Sequence, residues 1–68
     1  MTNTALFFEK MSACFWTVKT LAKEMGMSRG GLYKKINNTN EFKASEIKTI
    51  SKLFDLTAEE QEKIFFAS

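Results

Sequence analysis

The stretch that decides the fold is Thr17-Val18-Lys19-Thr20-Leu21-Ala22-Lys23-Glu24-Met25-Gly26-Met27-Ser28-Arg29-Gly30-Gly31-Leu32-Tyr33-Lys34-Lys35-Ile36-Asn37. Val18, Leu21, Ala22 and Met25 recur at i, i+3, i+4 and i+7, the spacing of one helix face. Gly26 then falls where a helix ends in a left-handed turn, a geometry that disfavours any residue with a Cβ atom. Ser28 is a good N-cap for a second helix, and Leu32 and Ile36 give that helix a buried stripe at i, i+4. Arg29, Tyr33 and Lys34 fall between them and point elsewhere. A short helix, a glycine turn and a second helix with charge on its free face are what a DNA-binding helix-turn-helix requires.

Outward from this motif, residues 4–14 predict a first helix, with Asn3 or Thr4 available as cap and Leu6, Phe7, Met11 and Cys14 as core. Cys14, without a His partner, reads as a small buried filler. Phe8 and Phe15 lie seven residues apart on another face and admit two readings. Phe15 with Trp16 covers the underside of the bundle, or Phe8 and Phe15 form an exposed aromatic stripe that meets a partner. Asn37-Asn38-Thr39-Asn40 mark a loop, which Phe42 plugs into the core. Residues 44–54 predict a further helix with Ile47, Ile50 and Leu53 or Phe54 inward. Leu56 anchors the last helix from outside, Thr57-Ala58-Glu59-Glu60 opens it as a capping box, and Ile64-Phe65-Phe66 close it. Two adjacent Phe residues cannot share one helix face, so one of Phe65 and Phe66 is left for a neighbour, and the two are the candidates for a protein interface. The expectation is one all-α domain over residues 1–68, a compact bundle of five helices with the motif at about 17–37.

The composition fits this reading. The chain has 68 residues, no Pro, three Gly and 44% hydrophobic residues, which favours a small helical domain over disorder. A single Cys forms no internal disulfide, no apolar run approaches the length of a membrane span, and no signal peptide is read at the start; a cytoplasmic location is expected. The net charge is only +2, but its distribution is uneven. Residues 18–43 carry six basic side chains against two acidic ones, a net +4, and the remainder carries a net −2. Such concentration suits an anion-facing surface, and a solvated helical surface with chance clustering accounts for it equally well.

An enzymatic role is not expected. The chain has no His to serve as base or metal ligand, and its carboxylates are scattered. Gly26 to Gly31 superficially suggest a phosphate loop, but Leu32 and Tyr33 follow where that loop needs Lys and then Ser or Thr, and a helix precedes. No cofactor is expected.

The chain resembles the small helix-turn-helix regulators of the Cro/repressor (XRE) type found in temperate phages and mobile elements. The resemblance is carried by Leu21 to Arg29, Leu32 to Asn37, Glu41-Phe42-Lys43-Ala44-Ser45-Glu46-Ile47 and the final Leu56 to Phe66. It implies a lambda-repressor-like bundle in the cytoplasm of a bacterial host cell. The implied function is a sequence-specific, Cro-like transcriptional regulator on double-stranded operator DNA, acting in a lysis/lysogeny switch. The alternative is an antirepressor-like interaction module that binds a partner phage repressor. A homodimer on half-sites about 10 base pairs apart is the form the motif favours. If the second motif helix enters the major groove, Ser28, Arg29, Gly30, Tyr33 and Lys34 face base edges, with Arg29 the best reader. Thr17, Lys19, Lys35, Asn38 and Lys43 are the expected phosphate contacts, and Phe8, Phe15, Phe65 and Phe66 the candidate protein interface.

Overall fold

A computed structural model describes residues 1–67, which form five helices and no strand. They are α1 (Thr4–Ala13), α2 (Val18–Glu24), α3 (Arg29–Ile36), α4 (Ala44–Leu53) and α5 (Ala58–Phe65). Each expected element is present, with α1 ending one residue before Cys14 and α4 one residue before Phe54.

The starts of the helices follow from local chemistry. Asn3, Thr17, Ser28 and Thr57 stand in extended backbone, and each side-chain oxygen accepts an N–H of the first turn. At α4 the cap comes from inside the helix: the Glu46 carboxylate accepts the Lys43 N–H at 2.8 Å.

The ends of α1 to α4 share one device. Phe15, Gly26, Asn38 and Asp55 have φ of 63°, 68°, 66° and 51°. After each, an amide reaches back into the last helical turn, Trp16 to Met11, Met27 to Ala22, Thr39 to Lys34 and Leu56 to Ser51, at 2.8–3.0 Å. This left-handed closure satisfies carbonyls that the helix leaves without partners and turns the chain sharply.

The core is a cluster around Phe7, which is fully buried along with Leu21, Leu32, Ile36 and Ile50. The Phe7 ring stacks on Phe42 at 5.8 Å and meets Phe54 and Phe65 edge-on at 5.6 and 5.9 Å. Phe42 thus plugs the loop between α3 and α4 into the core. Ala22 is buried in the same core as Leu32 and Ile36, and α2 and α3 form the most extensive helix pairing in the bundle.

The first residues brace the end of α3. Asn38 clamps Thr2 at two points, its Oδ1 accepting the Thr2 N–H at 2.7 Å and its Nδ2 donating to the Thr2 carbonyl at 2.9 Å. The Thr4 hydroxyl donates to the Ile36 carbonyl at 2.7 Å, and the Asn3 N–H donates to the Ile64 carbonyl at 2.7 Å. Asn3 and Thr4 therefore do more than start α1: they tie the C-terminal ends of α3 and α5 to the N-terminal segment.

Candidate nucleic-acid interface

Helix α3 divides as its sequence pattern requires. Leu32 and Ile36 are buried, whereas Ser28, Arg29, Gly30, Tyr33 and Lys34 are exposed. Arg29 and Tyr33 are one helical turn apart, as are Gly30 and Lys34, so the exposed residues make two adjacent rows on one face. The two glycines differ. A Cβ at Gly31 would stand 3.1 Å from the Ser28 hydroxyl that caps the helix, whereas a Cβ at Gly30 would meet nothing. Gly31 protects the cap. Gly30 leaves the outer face bare, so a partner can approach the backbone there.

The cations sort into free and committed ones. Among the described residues, Lys19, Lys23, Arg29, Lys34 and Lys43 have no carboxylate within ion-pair distance. Lys35, adjacent to Lys34 in sequence, is committed: its ammonium lies 2.6 Å from both Glu46 oxygens, and the two side chains are only 15% and 16% exposed. Burial pushes the Glu46 carboxyl up, but the Lys35 ammonium and the Lys43 N–H outweigh it and hold the group below its ordinary range. Asn38 is equally occupied, with both ends of its amide on Thr2. Of the expected phosphate contacts, Thr17, Lys19, Asn38 and Lys43 are exposed, but the Asn38 amide is held by Thr2 and half-buried Lys35 by Glu46, so these two serve the fold. Thr17 also shares a capping box with Thr20.

The aromatic candidates separate in the same way. Phe65 is 4% exposed and packs edge-on against Phe42 at 5.3 Å, so it belongs to the core and not to a surface. Phe66 is the exposed member of the pair. Phe8 is half-buried between Phe7 and Tyr33, with ring centroids at 6.3 and 6.5 Å. Phe15 does not cover the underside of the bundle; it is 95% exposed, and only Trp16 turns inward.

Two surface grooves flank these elements. One of about 490 Å³ lies between α1, α2 and α3, lined by Phe8, Trp16, Thr17, Lys19, Arg29 and Tyr33 among others. A larger one of about 740 Å³ lies on α4 and α5, with Phe42, Ile47, Leu56 and Phe66 beside Lys48, Lys52 and Asp55. It receives no residue from α2 or α3, so the larger concavity and the free cations of the motif are separate features. No group of three or more His, Cys, Asp or Glu side chains is placed to hold a metal among the described residues.

Elsewhere an ion pair joins α1 to α5. Lys10 donates to Glu60 at 2.7 Å, and this bond, with the Thr57 N–H, lowers the Glu60 carboxyl to about 2. Comparison of the chain with family models, with curated proteins and with solved structures finds no match to any of them.

Proposed function

We propose that this chain is a sequence-specific DNA-binding regulator of the Cro-like type, reading an operator through α3 as the second helix of a helix-turn-helix. The observation that carries the reading is the exposed face of α3. Arg29, Tyr33 and Lys34 project from a helix anchored by Leu32 and Ile36, and no carboxylate neutralises either cation among the described residues. A helix with this free edge fits a major groove. Arg29 reads a guanine through its two-pronged guanidinium, Tyr33 and Lys34 contact bases or phosphates, and Thr17, Lys19 and Lys43 set the register on the backbone. The switch between lytic and lysogenic growth is the proposed setting.

Selection from a randomised duplex pool, followed by salt-titrated mobility shifts on the selected site, tests this. Arg29→Ala is expected to lose about 1–3 kcal/mol of discrimination at one base pair. Lys43→Ala is expected to weaken all sequences alike and flatten the salt dependence by about one charge. Equal loss on selected and random DNA for Arg29→Ala refutes the base-reading role.

A second reading, an interaction module that binds a partner repressor, is favoured by the exposed Phe66 beside the apolar groove on α4 and α5. DNA binding that appears only with the repressor, or repressor released from DNA by this protein, selects it.

A further inference from the structure

We infer that Phe15 is itself a DNA contact, its ring laid against the sugar–phosphate edge of the duplex that α3 reads; the inference rests on the DNA-binding reading above. The chain supplies its own standard of comparison. Four helix ends close through a residue of positive φ, and three of those residues are Gly26, Asn38 and Asp55. These are the types that tolerate the left-handed region, whereas a bulky side chain there is an outlier. The fourth is Phe15, at φ 63°.

Nothing in the fold repays that choice. The Phe15 side chain is 95% exposed and stacks on no ring among the described residues. Backbone geometry favours glycine at this position, and solvent favours a polar residue. A strained and unburied aromatic points to a role outside the folded chain.

The adjoining groove points to the occupant. Phe15 is not itself a lining residue, but Trp16 and Thr17, the two residues that follow it, line the groove between α1, α2 and α3 together with Phe8, Lys19, Arg29 and Tyr33. No carboxylate lines this groove, so its complement is anionic. Its three aromatic side chains require apolar surface beside that charge. A DNA strand alternates phosphates with the apolar faces of deoxyribose, and so presents both at close spacing. Arg29 and Tyr33 belong to the groove and to the exposed face of α3, so one duplex reaches both. An apolar contact here adds affinity without adding to the count of neutralised phosphates.

The test uses the full chain and a fluorescein-labelled mixed-sequence duplex of about 30 base pairs, roughly three helical turns, with anisotropy measured over a salt series beside thermal denaturation. Phe15→Gly is expected to raise the melting temperature by a few degrees, because the backbone strain goes and no packing is lost. The same variant is expected to bind the duplex about 5–10-fold more weakly at every salt concentration with unchanged slope, as loss of part-buried apolar surface predicts. Phe15→Tyr, which keeps the ring, is expected to retain affinity, while Lys19→Ala is expected to reduce the slope by about one. If the wild type binds and Phe15→Gly binds equally well, the Phe15 assignment falls alone, and an acidic protein surface becomes the occupant. A loss accompanied by a shallower slope also overturns it. If the wild type binds no duplex, both readings fall together.

Discussion

Replacing Glu46 by Ala tests the division between cations that hold the fold and cations that stay unpaired. Glu46 has two duties: it sits 2.6 Å from the Lys35 ammonium, and it accepts the Lys43 N–H at the start of α4. The variant strands an ammonium that is 85% shielded, since the Lys35 side chain is 15% exposed. An unpaired charge in a fully buried site costs about 3–5 kcal/mol, which residual contact with water reduces to about 1–3 here. Loss of the cap adds about 1 kcal/mol, for a total of about 2–4. A domain of 68 residues has about 3–10 kcal/mol to lose, so the change is large. Urea denaturation followed by far-ultraviolet circular dichroism at pH 7 reads it directly. With a slope of about 1 kcal/mol/M, the midpoint falls by about 2 M or more. The double variant Lys35→Met/Glu46→Gln is expected to recover most of the loss, because no charge is stranded and the amide oxygen still accepts the Lys43 N–H. A cost below about 0.5 kcal/mol for Glu46→Ala, typical of an exposed pair, refutes the reasoning, as does a double variant no better than the single one.

Three further substitutions probe the frame. Phe7→Ala removes the ring at the centre of the aromatic cluster and is expected to cost about 3–5 kcal/mol, whereas Phe66→Ala, on the surface, changes stability by less than about 0.5; melting temperatures separate them. Glu60 governs part of the acid response. Its carboxyl is lowered from 4.5 to about 2, so its contribution is complete above 4.5 and disappears as pH falls towards 2. Lys10, raised by the same bond, keeps its share until the pH climbs through its elevated value above 10.5. Glu60→Gln is expected to flatten the loss of melting temperature between pH 4.5 and 2, the window that those two Glu60 values bracket, and an unchanged acid arm would show that the pair is not formed in solution.

The helical frame was legible because its signals are local. The i, i+3, i+4 spacing of Val18, Leu21 and Ala22, the turn at Gly26 and the caps at Ser28 and Thr57 all act within about four residues. Each of these features appears in the folded chain where the pattern puts it. The exposed row of Arg29, Tyr33 and Lys34 follows from the same logic, since fixing Leu32 and Ile36 inward leaves the others outward.

Tertiary structure alone decided which polar and aromatic residues remain available. Lys34 and Lys35 look alike in sequence, but Glu46, eleven positions further on, takes Lys35. Asn38 meets Thr2 across 36 positions, and Phe65 rather than Phe66 faces Phe7 and Phe42. The left-handed turn at Phe15 carried no local signal, because a bulky aromatic is among the residue types that this geometry disfavours. Helix periodicity and caps are short-range properties of the chain. Charge pairing and ring packing depend on which distant segments are brought together, and only the assembled bundle fixes that.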